Sequence, residues 1–212
     1  AADHKSVAPR STLRISVQPF FASELFVPRL PDFRRQHPDI EIIVDTSDES
    51  SEKHPADTDV SIRVFNSPPK SLASDRLFAL QLIPAASAEF RDGLKVKGDT
   101  IASDFPIIVH DSRPRAWNDW QKKSGISVPA GSASIRLDSM IAIARAAERG
   151  LGAALVPLQL SDSWFDTGAL VKLFPTELPT RDAYYFVCRR EDEKQENVRR
   201  LRTWALSQFK DI

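Results

Sequence analysis

The stretch from Leu13 to Pro38 constrains this chain most. Leu13-Arg-Ile-Ser-Val17 is a short β-branched run of the kind that fits a central strand. It meets a turn at Gln18-Pro19. Apolar residues then recur close to helical spacing at Phe21, Leu25, Phe26, Leu30 and Phe33. A strand that feeds straight into a helix points the helix N-terminal amides past the strand's carboxyl end, where α/β proteins hold ligands. Pro28 and Pro31 lie within the helical run, and a mid-helix proline removes a backbone bond and clashes with the preceding turn. The spacing therefore predicts a kinked helix or two pieces. Arg34, Arg35 and His37 suit the negative end of that helix, and Pro38 stops it.

Further along, strands are expected at Ile40 to Asp45, Val60 to Phe65, Leu77 to Pro84, Phe105 to His110, Ser134 to Leu137, Ala153 to Val156, Leu170 to Phe174 and Tyr184 to Arg189. Helices are expected at Pro114 to Ser124, Asp138 to Arg149 and Glu193 to Phe209, with short turns of helix at Ser87 to Gly93 and Leu158 to Phe165. Thr46 to Asp57 is polar throughout and reads as a loop or a weakly held helical turn. Alternation of strand and helix argues for a parallel or mixed sheet. Strand-helix units on both sides of Leu77 to Pro84 point to two similar halves.

The composition removes several function classes. With 42% hydrophobic and 27% charged residues over 212, the chain reads as an ordinary soluble globular protein, without a membrane span. The 29 basic and 29 acidic residues cancel, and no basic stripe is visible, so this chain by itself is a poor nucleic-acid binder. Cys188 is single, which leaves no internal disulfide, and it sits in a strand-like run that favours an inert buried thiol. No charged-then-apolar leader opens the chain, and a cytoplasmic protein is the expectation.

No catalytic set can be read. There is no Gly-rich phosphate loop, no G-x-S-x-G elbow, and the four histidines are scattered without ligand spacing. Neither an enzyme, a metal site nor a cofactor is expected. The polar groups predicted at strand ends and helix starts remain: Ser16 to Phe21, Arg63, His110, and the pair Asp138-Ser139. Singly, Asp138-Ser139 is explained by helix capping, Arg63 by ion pairing and His110 by a strand-end turn. Together, two helix starts facing one cleft make a site for a small anionic or polar ligand.

Several runs in order carry a family resemblance. They are Leu13-Arg-Ile-Ser-Val17, then Val27-Pro-Arg-Leu-Pro-Asp-Phe-Arg-Arg-Gln-His-Pro38, Asp59-Val-Ser-Ile-Arg63, Leu82-Ile-Pro-Ala-Ala-Ser87, Trp117-x-x-Trp120, Asp138-Ser139, and Ala146-Ala-Glu-Arg-Gly-Leu-Gly152. With Tyr184-Tyr185 in the last strand, the chain resembles the effector-binding domain of LysR-type transcriptional regulators, in particular the glycine-cleavage and β-lactamase regulator branch. The resemblance implies an α/β fold of the type 2 periplasmic-binding-protein kind, with two Rossmann-like lobes joined by two crossing strands and a small effector in the cleft. On that reading residues 1–12 are a linker or tail, 13–83 plus 187–212 form lobe I, and 84–186 form lobe II.

The resemblance further implies a homodimer or tetramer. Promoter DNA would be held only through an N-terminal winged helix-turn-helix outside this chain, and no membrane is a partner. Effector contacts carried over from it are Gln18, Pro19, Phe20 and Phe21 at the first helix start, Arg63 and Val64, His110, Asp138, Ser139 and Met140, and Tyr184. Two positions depart from the pattern, since relatives often have Ser or Thr where this chain has Phe20, and a second Ser where it has Met140. Losing a hydroxyl from a buried polar site removes a discriminating bond, so either the effector is more apolar, or its anionic group is held mainly by backbone amides, or the pocket binds no ligand. From Glu49 to Asp57 the apolar positions of the relatives' amphipathic helix are missing, so a partly melted helix is expected there. The runner-up is a solute-binding protein of a transport system on the same fold.

Overall fold

The computed structural model of the chain describes residues 11–47 and 54–212. Residues 1–10 of the expected tail, and residue 48 with 49–53 of the expected partly melted helix, lie outside the described residues. The chain divides into two compact units. The first holds residues up to Ala79 together with Arg181–Ile212, and the second is Leu80–Thr180.

In the first unit, β1 (Ser11–Val17) leads into a helical stretch made of α1 (Pro19–Phe21), a π-helical turn (Ala22–Phe26) and α2 (Val27–Gln36). β2 (Ile40–Asp45), β3 (Val60–Phe65) and the first part of β4 (Leu72–Ala86) follow. β1 begins at Ser11, two residues into the expected tail, because Ser11 and Thr12 pair with Ile40 and Glu41 of β2. β1 lies parallel to both β2 and β3.

In the second unit, the rest of β4 is followed by α3 (Ala88–Asp92), the hairpin of β5 (Val96–Lys97) and β6 (Thr100–Ile101), β7 (Ile107–His110), α4 (Ala116–Ser124) and β8 (Ala133–Leu137). Then come α5 (Met140–Glu148), β9 (Ala153–Pro157), a 3-10 turn at Gln159–Ser161, α6 (Asp162–Asp166), β10 (Val171–Lys172) and the opening residues of β11 (Leu178–Arg189). The sheet order here is β4-β9-β7-β8, with β10 on β4. β4 and β9 are antiparallel, while β7 lies parallel to β8 and β9. β11 then runs back into the first unit, where it pairs antiparallel with β3, and α7 (Glu196–Phe209) closes the chain. The lobe boundaries expected at 83/84 and 186/187 lie within these same two strands, β4 and β11.

The two-proline helix is one unbroken helical stretch from Pro19 to Gln36. The π-helical turn sits immediately ahead of Pro28, and the Val27 amide bonds the Ala22 carbonyl, one residue further back than an α-helix allows. The wider turn takes up the missing bond and the ring clash of Pro28 without a break. Pro31 is tolerated inside α2, next to the half-exposed Val27, on a side of the helix that water reaches.

Aromatic side chains form the core of each unit. In the first, Phe21 stacks on Phe78 at 6.0 Å between ring centroids and meets Phe209 edge-on at 5.1 Å. Phe26 and Phe33 do the same with Trp204, at 5.8 and 5.4 Å. Such pairs contribute about 0.5–1.5 kcal/mol each beyond the area they bury. They fix the α1–α2 stretch against α7. In the second unit Trp117 and Trp120, three residues apart on α4, meet at 5.6 Å. Their indole N–H groups donate to the carbonyls of Ile108 (3.1 Å) and Thr176 (2.9 Å), so neither ring buries an unmet donor. Gly125 ends α4 with φ +73°, as a left-handed cap requires.

The β5–β6 hairpin is absent from the sequence reading, since strands of two residues carry no alternation. Gly98, at φ +62°, turns it, and Ser127 pairs backbone bonds with Ile101 and Asp99 to hold it.

Gly152 is required for a steric reason. A Cβ there would stand 2.5 Å from the Pro106 carbonyl oxygen, which is itself held by the Ala153 amide at 2.8 Å. Gly152→Ala should therefore destabilise the fold by about 1–3 kcal/mol, read as a lower urea midpoint with unchanged slope. An unaltered midpoint would mean that β7 and β9 can part without cost.

Candidate functional site

In the first unit the polar groups gather where β1 and β3 end. Ser16 and Ser61 are register partners on adjacent parallel strands, so their side chains share a face. Arg63, two residues on, shares it as well. Arg63 is 1% exposed and its guanidinium donates to the Ser16 hydroxyl. A buried guanidinium is costly to desolvate unless it is hydrogen-bonded, so Ser16 is part of what makes Arg63 admissible. On the same face, the Ser61 hydroxyl lies 2.7 Å from Nδ1 of His54. Arg189 draws the following segment in by donating to the carbonyls of Ala56 and Thr58, both at 3.1 Å.

The chain then turns at Gln18. Its amide donates to the Ile62 carbonyl at 3.1 Å, and its own carbonyl accepts from Ala22 at 2.9 Å. Its side chain is 8% exposed, and the side-chain oxygen accepts no hydrogen bond from any described residue. A buried acceptor left unmet costs about 1–3 kcal/mol, unless a ligand or water supplies the donor. Pro19 follows in a half-buried position and starts the helix, while Phe20 and Phe21 are both fully buried.

Tyr184 and Val64 are register partners on β11 and β3. They therefore share the face opposite Arg63. The Tyr184 ring is 1% exposed, 5.4 Å from Phe21 and 4.9 Å from Phe78. Of the residues expected at the first helix start, Gln18 reaches the same strand end as Arg63. Phe21 and Tyr184 sit together in the aromatic core on the other side of the sheet.

In the second unit, His110 ends β7 and its carbonyl closes a turn by accepting from the Arg113 amide at 2.9 Å. Nδ1 accepts from the Ser112 amide at 3.1 Å, and the Ser112 hydroxyl lies 2.8 Å away. Because an amide can only donate, Nδ1 is unprotonated and the neutral ring carries its hydrogen on Nε2. Burial first, then the nearby Arg113 cation, hold the His110 pKa below its ordinary value, against the opposing pull of Asp111 and Asp138.

Ser139 is the N-cap of α5, its hydroxyl accepting from the Ala142 amide at 3.4 Å. Asp138 is exposed just outside the helix. Met140 is 4% exposed. It lines a narrow pocket with Leu82, Ile108, His110, Arg113, Ala116, Trp117, Ile143 and Leu155. The second unit thus brings His110 and Met140 into one pocket. Arg113 and Leu82 were not among the expected contacts, since an arginine in a turn and a leucine in a crossing strand show nothing of a site in the sequence.

Cys188 is buried, and burial with the neighbouring acidic residues pushes its thiol up to about 11. Among the described residues, no cluster of three or more His, Cys, Asp or Glu side chains could hold a metal ion. No helix there is long and apolar enough to cross a membrane.

Two predictions follow from these ionisations. His54, like His110, has its pKa lowered, by burial first and then by the Arg189 cation. Both rings are harder to protonate in the fold than in the unfolded chain, where a histidine titrates near 6.5. Stability is then full above that value and falls as the unfolded chain takes up protons below it. The melting temperature should drop between pH 7 and pH 5, and drop less in His54→Gln or His110→Gln; a parallel fall in both variants would remove these rings from the explanation. Cys188 should stay unmodified by Ellman's reagent at pH 8 in the native chain and react once urea unfolds it.

These features can be set against known proteins. Residues 7–210 match the LysR substrate binding domain family. The glycine cleavage system transcriptional activator of Escherichia coli K12 is 26% identical over 198 residues, which cover 93% of this chain and 65% of that protein. The chain therefore spans slightly less than two thirds of that relative's length. The AmpR effector binding domain from Citrobacter freundii superimposes with a TM-score of 0.79 at 20% identity, covering 93% of this chain and 97% of the other. Full-length AphB of Vibrio cholerae gives 0.71 at 20% identity, over 94% of this chain and 69% of its own. The fold is of the type 2 periplasmic-binding-protein kind, and the transport reading is not favoured by these relatives. With the match running nearly end to end, the chain belongs to the LysR substrate binding domain family.

Proposed function

We propose that this chain is the ligand-sensing part of a bacterial, cytoplasmic LysR-type transcription regulator. It binds a small-molecule effector without chemical turnover, and DNA contact belongs to a separate N-terminal winged helix-turn-helix of the whole protein. The observation that carries the sensing role is Gln18. A buried amide oxygen that accepts from no described residue, at a strand end beside a buried arginine, is what a ligand site provides for its ligand. The proposed contacts are Gln18, Pro19, Phe20 and Arg63 from the first unit, since Phe21, Val64 and Tyr184 lie on the other face of the sheet. From the second unit they are His110, Asp138, Ser139 and Met140. A ligand can act on the regulator only to the extent that it binds one arrangement of the protein better than another.

We further propose that a second copy of the chain pairs along α2. The exposed Val27, at 51% exposure, lines a shallow apolar groove with Leu30, Pro31 and Pro38, edged by Arg34 and Arg35. An apolar strip rimmed by charge on a helix suits burial against another protein surface.

Thermal-shift titration with a broad panel of small metabolites tests the sensing role. At least one compound should raise the melting temperature saturably, and Gln18→Leu should reduce that rise. No response across the panel would point to a regulator without an effector. Light scattering should give a mass about twice 23.7 kDa, moving toward the single-chain value in Val27→Glu; a monomeric native chain would overturn the pairing.

A further inference from the structure

The segment His54-Pro-Ala-Asp-Thr58, which leads into β3, carries no large apolar side chain. Ala56 and Asp57 are exposed, His54 and Pro55 are half-buried, and Thr58 is packed away at 5% exposure. Hydrogen bonds fasten it. Arg189, the last residue of β11, donates to the carbonyls of Ala56 and Thr58. The Thr58 amide turns back onto the Pro55 carbonyl at 3.2 Å. Just beyond, Asp59 is tied to β1, its amide donating to the Arg14 carbonyl at 2.9 Å and its carboxylate accepting from the Arg14 amide at 2.8 Å. At the other end, Nδ1 of His54 meets the Ser61 hydroxyl of β3 at 2.7 Å. A segment held this way, with little buried apolar surface, belongs to the part of a fold that opens first.

His54 stands among cations. Arg189 acts on it from the end of β11 and Arg63 from β3. The carboxylate that offsets them, Asp192, is already engaged by the Arg189 guanidinium at 2.7 Å, and the exposed Glu191 lies 3.9 Å from the same group. Nε2 of His54 is buried and makes no hydrogen bond with any described residue. A protonated ring is a donor at both nitrogens. Ser61 can accept from one of them. The supports left for the added charge are the Thr58 backbone and Asp192, and Arg189 holds both. Burial first, then Arg189, accordingly keep the His54 pKa below its ordinary value. Once the segment lifts, the ring returns to water, where a histidine titrates near 6.5. The closed arrangement is thus fully favoured above that value and weakens as pH falls below it.

We infer that residues 54–58 form an acid-released strap over the polar end of β3, closed while His54 is uncharged and lifted when it is protonated, with the rest of the first unit still folded. Arg189 both clamps the strap and opposes the proton. Lifting uncovers the face that bears Ser61 and, two residues on, Arg63. The strap stands on its own contacts, while its consequence for effector access rests on the sensing role proposed above.

Amide hydrogen exchange, read residue by residue by NMR on the 212-residue chain, tests this. The Thr58 amide reports the strap and the amides of β1 and β11 report the core. After correction for the intrinsic pH dependence of exchange, protection at Thr58 should fall about fivefold or more between pH 7.5 and pH 5.5. It should stay well below core protection at both, as local opening requires. In His54→Gln it should no longer change with pH. In Arg189→Gln, which serves even if His54→Gln fails to fold, protection at Thr58 should already be low at pH 7.5, and the His54 ring should titrate closer to 6.5. Protection at Thr58 equal to that of the core, or unchanged with pH, overturns the strap. So does an equal fall in His54→Gln, or an unmoved His54 titration in Arg189→Gln. No ligand enters these measurements, so their failure leaves the sensing role to the thermal-shift panel.

Discussion

The seating of Phe21 is the contact on which the first unit depends. Its ring touches Phe78 of β4, Tyr184 of β11 and Phe209 of α7, so one side chain at a helix start ties together two strands and the closing helix. Because Phe21 is anchored, the preceding residue pair has no freedom. Gln18 must turn the chain within a single peptide of Ile62, and its side chain is carried into a buried position beside the end of β3. The apolar face of the sheet is thus what places the polar face. Arg63 then lies buried opposite the aromatic cluster, held by Ser16, because β1 and β3 run parallel in a register that puts Ser16 level with Ser61.

The second unit solves a different problem. Several of its polar groups are already assigned. Ser139 caps α5, the Ser112 amide sets the tautomer of His110, and the indoles of α4 are satisfied by carbonyls. The surroundings of Met140 are therefore apolar with a polar side formed by two residues, His110 and Arg113. Phe20 and Met140 are both packed into the core, at 0% and 4% exposure.

Much of the fold was legible from the residues. The β-branched runs at Ile40–Asp45 and Val60–Phe65 coincide with strands, and the Trp117/Trp120 spacing, the Ser139 cap and the Gly125 stop all act as their chemistry dictates. These signals are local: a period, a cap or a left-handed glycine needs only its neighbours in the chain. The short β5–β6 hairpin was not legible, because its stability comes from Ser127, far along the chain. The prolines at 28 and 31 announced a disturbance but not its form. Whether a helix breaks or widens into a π-turn depends on whether both halves are held by packing, and here Phe26 and Phe33 are both held by Trp204.

The candidate site divides along the same line. Residue types and their order were sufficient for the family and the α/β class, because these rest on which side chains occur and at what spacing. Only the tertiary structure decided what each side chain does there. It set Tyr184 and Phe21 in the core on one side of the sheet and Arg63 on the other, since strand pairing and not sequence chooses the face. It joined His110, Arg113, Met140 and Leu82 in one pocket although 58 residues separate the first and last of them along the chain. A pocket is a coincidence of distant backbones, and the free energy that brings them together is spread over the whole packed unit.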